Sequence, residues 1–332
     1  MKEAKKIVNN LKNNQIKPLY LLTGEEPFYI DFVSGYIEKN LLTDDEKAFN
    51  QMVLYGRDVS VEEIINHAKR YPMMAERQVI IIKEAQDLEK SIELLLPYAE
   101  NPTPTTVLVL CYKYKSFDKR KKLFKIIEKN GEVLLTSTLY ENKVAGWIEE
   151  TLREHGYGIQ PKGALMLVEF LGNDLSKIFK ELEKLMQIVP ANQVITPEII
   201  EKNIGISKDY NNFELHNAIG SRDIKRVFRI VQYFSNNPKE NPIPMIVALL
   251  FSFFQKIMKY HSLTDTSKAV QALGISTFYL KDYQLAAKNF PPKKVSSIIE
   301  KLREIDMKSK GLGATNLPQG ELLKELMTEI MK

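Results

Sequence analysis

The chain has 332 residues, of which 44% are hydrophobic and 27% charged, with a formal net charge of +5. This length allows two or three domains with buried cores, and the composition is typical of an ordinary soluble globular protein. The mildly positive charge permits contact with an anionic partner without requiring one.

The cysteine count and the hydrophobic runs exclude further classes. The one cysteine, Cys111, excludes an internal disulfide framework and indicates a reducing, cytoplasmic compartment. Because Cys111 closes an apolar, strand-like run, we expect a packed thiol rather than a nucleophile. Residues 1–6 are followed by no apolar segment typical of a signal peptide, and the longest apolar run, residues 245–254, is well short of the ~20 residues of a spanning helix. We therefore expect no membrane partner.

Residues 1–140 alternate between strand and helix patterns. Several of the strands are continuous runs of Val, Ile and Leu, which are typical of strands covered by helices on both faces. The pattern predicts an α/β domain with a doubly wound parallel sheet. Strands are predicted at residues 19–22, 51–54, 79–82, 106–111 and 133–136, and helices at about 27–39, 61–70, 89–99 and 118–129.

Residues 19–31 place a strand, a glycine and a helix where a P-loop would lie in a nucleotide-binding domain. A working P-loop uses backbone N–H groups to wrap phosphate, then Lys and Ser or Thr for the phosphates and Mg²⁺. Counted from Gly24, the last three positions of the motif hold Tyr29, Ile30 and Asp31. These positions offer no ammonium and no hydroxyl at the metal position, and the two glutamates after Gly24 would repel phosphate. We therefore predict that this degenerate P-loop holds no nucleotide.

No other pattern predicts catalysis. Residues 79–84 have the outline of a Walker B strand, but Lys83 takes the place of the first acid, and Glu84 and Asp87 would have no phosphate substrate. The four histidines are not paired with Cys or with each other at ligand spacing, and no Ser/His/Asp set is indicated. We expect no catalytic residue, no metal and no cofactor.

The connection before the third predicted strand is rich in apolar residues. A capping box at Ser60 and Glu63 begins the preceding helix, and Pro72 ends it. Met73 and Met74 follow in a short connection opposite the nucleotide crevice, where backbone must meet solvent. Methionines usually belong to the core, but adaptable thioethers also suit an exposed binding surface. The pattern alone leaves both interpretations open.

Two basic clusters are candidate DNA contacts. The stronger one interleaves Tyr114 and Phe117 with cations, as nucleic-acid surfaces do, although a solvated helix face gives the same pattern. The weaker one is a loop that reaches Gly311 and Gly313. The candidate cations are Lys113, Lys115, Lys119, Arg120, Lys121, Lys122 and Lys125 in the first cluster, and Lys308 and Lys310 in the second.

From residue 141 onward the periodicity is helical only. Amphipathic segments begin near Trp147, after the N-cap at Asn173 and Asp174, and after Thr196. Residues 245–260 are apolar nearly all round, which predicts the central helix of a bundle. Further helices are predicted near 276–289, 292–310 and 319–331.

The change of period predicts three domains. Residues 1–140 form the α/β domain, residues 141–209 a small helical domain and residues 210–332 a larger helical domain. The boundary near 210 is inferred from the polar stretch at residues 208–212.

Four stretches resemble the delta subunit of the bacterial DNA polymerase III clamp loader, over essentially the whole chain. The most specific is residues 172–185, where Asn-Asp-Leu is followed by Glu-Leu-Glu-Lys. Residues 18–26 resemble the family's opening strand and degenerate loop, residues 72–80 its clamp-contact segment, residues 147–148 with 172–185 its lid domain, and residues 213–219 the start of its collar domain.

The resemblance implies an AAA+-like module with a degenerate P-loop, a helical lid and a helical collar used for oligomerisation. It implies a subunit that binds the sliding clamp and opens one ring interface during loading onto primed DNA. Such a subunit does not hydrolyse ATP itself, and the polymerase activity belongs to the whole holoenzyme. The implied partners are the sliding clamp (beta subunit), the gamma/tau and delta-prime type subunits, which the collar contacts, and primer-template DNA.

The resemblance also assigns residues to the clamp contact. Met73 and Met74 would enter the clamp's hydrophobic pocket, with Tyr71, Pro72 and Arg77 as flanking contacts. The family pair is often Leu-Phe or Phe-Phe, so Met-Met has less aromatic area to bury.

Two other functions stay open at this point. One is an active AAA+ ATPase with an atypical loop, which micromolar ATP binding by the chain would favour. The other is a helical DNA-binding protein that uses residues 113–125, which strongly salt-dependent binding of duplex DNA would favour.

Overall fold

The computed structural model describes residues 2–207, 209–275, 277–312 and 317–332 and divides the chain into two units, Met1–Leu139 and Tyr140–Lys332. The first unit ends beside the predicted end of the α/β domain. The further boundary near residue 210 stays a prediction. One of the residues from which it was inferred, Lys208, lies outside the described residues.

The first unit is built on a sheet of five parallel strands. They are β1 (Leu19–Gly24), β2 (Gln51–Tyr55), β3 (Gln78–Lys83), β4 (Thr106–Lys113) and β5 (Glu132–Thr136), in the order β2-β3-β4-β1-β5. All five predicted strands are confirmed. Every residue of β1 and β4 is buried, because helices cover both faces of the sheet centre.

Among residues 2–139, which the structure describes, there are six α-helices, and two of them were not predicted. The helices are α1 (Lys2–Lys12), α2 (Pro27–Asn40), α3 (Asp44–Asn50), α4 (Val61–Ala68), α5 (Leu96–Glu100) and α6 (Lys122–Asn130). The two helices that were not predicted are α1 and α3. The capping box that opens α3, between Thr43 and Glu46, is of the same type as the predicted one at Ser60 and Glu63, which the structure confirms.

Two predicted helices differ from the structure for local reasons. The helix expected over 89–99 is instead one 3₁₀ turn, Ile92–Leu95, followed by the short α5. Pro97 has no backbone N–H and is tolerated only in a first helical turn, so a helix cannot run through it. The helix expected from 118 begins at Lys122, because the Asp118 carboxylate accepts the N–H of Arg120 (2.9 Å) and closes a turn.

The core of the first unit lies against both faces of the sheet. One face of β1, β3 and β4 packs with residues of α4 and α6, including Ile64 and Phe124. Cys111 is fully buried, and burial raises the pKa of its thiol to about 11. The predicted packed thiol is therefore confirmed.

The second unit is mainly helical. Its helices are α7 (Glu141–Glu154), α8 (Pro161–Leu171), α9 (Leu175–Ile188), α10 (Pro197–Ile204), α11 (Asn212–Gly220), α12 (Ile224–Asn236), α13 (Ile243–His261), α14 (Ala269–Leu273), α15 (Leu280–Asn289), α16 (Pro292–Ser309) and α17 (Gln319–Met331). The predicted cap of α9 is present, since the Asp174 carboxylate accepts the N–H of Lys177 (3.0 Å). The helix predicted at 276–289 begins at Leu280 instead, and Ser276 lies outside the described residues.

The expectation of helices alone from residue 141 is wrong at one place. Two short strands, β6 (Gly158–Ile159) and β7 (Val194–Ile195), pair in parallel. A two-residue strand is too short to show the alternation that identifies a strand in sequence.

The long apolar helix α13 is central to the second unit but is not buried all round. Ile246, Leu250 and Phe254 are fully buried and α13 packs against α15 and α16, whereas Met245 and Phe251 are exposed. Among the residues that the structure describes, α13 is also the one helix long and apolar enough to cross a membrane by length and composition. The core helix of a globular bundle passes the same test, and the buried residues of α13 belong to such a core.

Two half-buried titratable side chains of the second unit each have a polar atom that is shielded from solvent. Burial raises the pKa of the Glu169 carboxyl to about 8; the charges of Glu214 and Glu141 act in the same direction, and a hydrogen bond from the backbone N–H of Phe213 opposes it. Burial lowers the pKa of the His216 imidazole to about 3. Within the described residues, Glu169 Oε1 and His216 Nε2 are buried without a hydrogen-bond partner.

We expect the free energy of unfolding to fall as the pH rises from about 6.5 to about 8.5. The pKa of Glu169 in the folded chain is about 8, above the ordinary value of 4.5. The contribution of Glu169 to stability is therefore complete below pH 4.5 and is lost as the pH rises through 8. The contribution of His216 is present above the ordinary histidine pKa of 6.5 and is lost only at lower pH.

Urea unfolding of Glu169→Gln across this pH range tests the assignment, because glutamine cannot ionise. The variant should lose most of the slope, and Glu149→Gln, at an exposed position of α7, should keep it. A slope that is unchanged in Glu169→Gln would contradict the assignment.

Candidate functional site

The carboxyl ends of β1, β3 and β4 meet where nucleotide-binding α/β domains hold phosphate. Here β1 ends at Gly24 and α2 begins at Pro27, so only Glu25 and Glu26 connect them. The buried Glu26 caps α2, since its carboxylate accepts the N–H of Phe28 (3.1 Å). A negative charge of the chain itself therefore occupies the helix N-terminus that would otherwise attract phosphate.

Gly24 is explained by packing between strands. Its φ is +141°, and a Cβ atom there would lie 2.0 Å from the backbone oxygen of Thr136. The end of β1 and the end of β5 approach too closely for any side chain at this position. The glycine is thus required by the sheet, whether or not a phosphate is bound.

The positions where a P-loop has Lys and Ser or Thr are used for the core and for an ion pair. Tyr29 and Ile30 are buried, and Ile30 is 0% exposed. The Asp31 carboxylate lies 2.8 Å from Lys113 Nζ, and a Glu84 carboxylate oxygen lies 3.4 Å from the same nitrogen. Burial alone would lower the pKa of Lys113, but the hydrogen bond and charge of Asp31, with the charge of Glu84, outweigh it and raise that pKa. We call this set, Asp31, Glu84 and Lys113, the ion cluster.

The predicted clamp-contact segment lies at the opposite, amino end of the sheet, between α4 and β3. Met73 is 62% exposed, and Met74 and Tyr71 are also exposed, Met74 completely. From the sequence alone, the two methionines could be either buried in the core or exposed. In the structure both are exposed. Their contact with a clamp stays a prediction.

Both ends of this segment are tied to the sheet. The side-chain amide of Gln78, at the start of β3, donates to the carbonyl of Arg70 and to Thr106 Oγ1 (2.8 Å). Thr106 Oγ1 in turn donates to the carbonyl of Ala68, the last residue of α4 (2.8 Å). The exposed residues are therefore carried on a short loop with fixed ends.

The middle of the segment is held by a residue that the sequence analysis did not consider. Asn50, at the end of α3, donates from Nδ2 to the carbonyl of Met73 (2.9 Å), and its Oδ1 accepts the N–H of Met73 (2.7 Å). The capping box at Thr43 and Glu46 could have revealed α3 from sequence. The pairing of Asn50 with Met73, 23 positions away, has no signal in the sequence.

The other predicted flanking residues are less accessible than Tyr71. Pro72 is half-buried. The side chain of Arg77 is largely buried, and its guanidinium lies 3.2 Å from the Glu76 carboxylate. Tyr71 is therefore the flanking residue best placed to touch a partner.

The first basic cluster is neutralised in part within the chain. Lys113 is buried in the ion cluster, Lys115 pairs with Glu89, and Arg120 pairs with Asp118 (2.8 Å). Of the two aromatic residues that the sequence interleaves with the cations, Phe117 is buried and Tyr114 is exposed. Lys121 Nζ lies 5.4 Å from the centre of the Phe117 ring. Lys115 and Arg120 are exposed although each is paired with an acid, and three further cations of this cluster are exposed, namely Lys119, Lys122 and Lys125.

The second basic cluster is also paired. Lys308 Nζ lies 2.7 Å from Glu304 and 3.2 Å from Glu325, and Lys310 Nζ lies 2.6 Å from Asp306. The predicted glycine at 313 lies outside the described residues. Neither lysine is a free charge for DNA.

The comparisons with known proteins agree over the length of the chain. Two family models match it: DNA polymerase III, delta subunit, at residues 20–136, and DNA polymerase III delta subunit, C-terminal domain, at residues 209–324. DNA polymerase III subunit delta of Bacillus subtilis (strain 168) is 26% identical over 331 residues, which cover 96% of this chain and 93% of that protein. A probable DNA polymerase III subunit delta of Aquifex aeolicus (strain VF5) is 21% identical over 312 residues, 88% of this chain and 86% of that protein.

A solved structure has the same architecture. The Bacillus subtilis DNA clamp loader delta protein matches with a TM-score of 0.63 and 24% identity, over 99% of each chain. The parallel sheet domain followed by helices is thus the fold of that protein. With this fold, the chain belongs to the family of DNA polymerase III delta subunits.

Lys113→Met should lower the free energy of unfolding by about 1–2 kcal/mol, because Asp31 and Glu84 would remain close together without a cation. The estimate is at the low end for a broken ion pair, since Asp31 is partly exposed to solvent. Lys119→Met, at an exposed position, should change the free energy by less than about 0.5 kcal/mol. Urea unfolding at pH 7 measures both, and equal stability of the two variants would contradict a structural role for the ion cluster.

Proposed function

We propose that this clamp-loader subunit binds the sliding clamp through Met73 and Met74 and favours a ring with one interface open. The observation that carries the proposal is the exposure of both thioethers on a loop that Gln78 of β3 ties at Arg70 and Asn50 of α3 ties at Met73. Membership of the delta-subunit family supports the clamp as the partner.

The energy available from this contact is sufficient for specific binding. Burying two methionine side chains contributes ~3–6 kcal/mol before the cost of ordering is subtracted. Because Asn50 and Gln78 already fix the loop, less ordering remains to be done when it binds. Unbranched thioethers also adapt to the shape of a pocket.

Opening of the ring follows from a difference in affinity. A ligand shifts a conformational equilibrium only as far as it binds one state better than the other. If the methionine pair fits the clamp conformation whose interface does not close, its binding energy moves the ring towards the open state. No nucleotide hydrolysis by this subunit is needed for that shift.

Met73→Ala/Met74→Ala should lower the affinity for the cognate sliding clamp about tenfold or more, which corresponds to the loss of about 1.4 kcal/mol or more. Calorimetry of the full chain with purified clamp measures this. Tyr114→Ala is a matched control, because Tyr114 is exposed but follows β4 at the opposite end of the sheet. Unchanged affinity of the double variant, with folding intact, would refute the assignment of Met73 and Met74.

We also propose that the chain does not bind or hydrolyse ATP. Support comes from the two-residue loop after β1, from the Glu26 cap on α2 and from the buried Ile30. An active AAA+ ATPase would need a cation and a hydroxyl at positions that here belong to the core and to the ion cluster.

Equilibrium dialysis with labelled ATP and Mg²⁺ should detect no binding by the isolated chain at micromolar nucleotide. A working P-loop ATPase in the same assay is the positive control. Micromolar affinity for ATP would overturn this part of the proposal.

The remaining contacts that we propose are with other loader subunits and with DNA. The exposed apolar face of α13, at Met245 and Phe251, is a candidate contact for gamma/tau and delta-prime type neighbours. Primer-template DNA would meet the exposed lysines of the first basic cluster only weakly, because most of its other cations are paired internally. A stand-alone DNA-binding role is therefore the less favoured alternative.

A further inference from the structure

Phe49 is a large aromatic side chain that the fold leaves in solvent. It lies in the last turn of α3 and is 73% exposed. Its neighbour Asn50 is 5% exposed. The helix around them is well defined, because a reciprocal capping box between Thr43 and Glu46 begins it. A single exposed aromatic needs no explanation by itself, so its surroundings decide what it can do.

The parallel sheet brings Phe49 to the clamp-contact segment. In the β2–β3 pairing, Gln51 lies opposite Val79, so the residues just before β2 lie beside those just before β3. Phe49 and Asn50 precede β2, and the loop that carries Met73 and Met74 precedes β3. Phe49 and the two methionines therefore lie at the amino end of the same two strands.

The hydrogen bonds of Asn50 hold the end of α3 against the loop that carries Met73 and Met74. Its amide bonds both backbone groups of Met73, at 2.9 Å and 2.7 Å, and its Nδ2 also donates to the carbonyl of Glu46 in α3 (3.1 Å). Met74 follows with a φ of +52°, a left-handed conformation that is costly for a residue with a side chain. The tie at Met73 helps to hold that conformation, in which the Met74 side chain is fully exposed.

We propose that the clamp-binding surface extends from Met73 and Met74 to Phe49, and that Asn50 is the positioning residue that holds these groups in one surface. The inference rests on the proposed function, because it takes the sliding clamp as the occupant. Continuity argues for that occupant: Phe49 adjoins Asn50, which anchors Met73, so the exposed ring and the methionines lie at the same end of the same two strands. Phe49 supplies the aromatic area that a Met-Met pair lacks.

Calorimetry of the full chain with the cognate clamp tests the contact at Phe49. Phe49→Ala should raise Kd about fivefold or more, as loss of an aromatic contact at an interface does. Phe49→Tyr should bind nearly as well as the natural chain, because it keeps the ring. Tyr114→Ala, which removes an exposed aromatic at the other end of the sheet, should not change Kd.

The role of Asn50 is tested by a double-mutant cycle. Asn50→Ala should raise Kd in the natural chain but have little further effect once both methionines are alanine, because it acts through them. Phe49→Ala should still weaken binding in that background, since it touches the clamp directly. A general loss of structure would instead lower the melting temperature in both backgrounds, and Phe49→Ala does not depend on the folding of the Asn50 variant.

The outcomes separate the inference from the function on which it rests. If Met73→Ala/Met74→Ala weakens clamp binding and Phe49→Ala does not, the extension to Phe49 is wrong and the proposed function stands. If neither variant changes Kd, the proposed function itself fails. If Phe49→Ala leaves clamp binding intact and abolishes self-association in sedimentation velocity, the occupant is a second copy of this chain and the inference is overturned.

Discussion

The parallel alignment of five strands is the constraint on which the rest of the first unit depends. Parallel pairing collects all carboxyl ends of the strands at one end of the sheet and all amino ends at the other. In nucleotide-binding relatives of this architecture the carboxyl end holds the phosphates. Here that end contains the ion cluster and α2, which is capped by Glu26, and the exposed Phe49, Met73 and Met74 lie at the other end. The parallel sheet thus has a carboxyl end whose charged groups pair within the chain and an amino end whose apolar side chains are accessible to a partner.

The two ends use their polar groups differently. At the carboxyl end, Lys113 neutralises Asp31 and Glu84, so the charges are satisfied within the chain. At the amino end, the amides of Asn50 and Gln78 bind backbone groups of the loop, which leaves the apolar side chains of the loop in solvent. Hydrogen bonds to backbone fix where Met73 and Met74 lie without covering them. That arrangement suits a subunit that acts by contact with a partner.

Elements with a strong local signal were predicted well from sequence. Several of the five strands are continuous apolar runs, and such runs identify strands without knowledge of their neighbours. The capping box at Ser60 fixed the start of α4 because both of its hydrogen bonds are local. Where a local rule was overlooked, as at Pro97 and at Thr43, the predicted element was wrong or missing although the signal was present. The short pairing of β6 with β7 carries no such signal.

The sequence by itself determined the five strands of the first unit, the loss of the P-loop cation and hydroxyl, and the resemblance to clamp-loader delta subunits. These depend on residue type and on spacing along the chain. Only the tertiary structure decided that Met73 and Met74 are exposed, that Phe117 and Lys113 are buried, and that Asn50 holds the exposed loop. Each of these depends on groups far apart in sequence, because burial and pairing are set by what the fold brings alongside a residue. A methionine or a lysine has the same identity in a core and on a surface, so its neighbours in space had to be known before its role could be assigned.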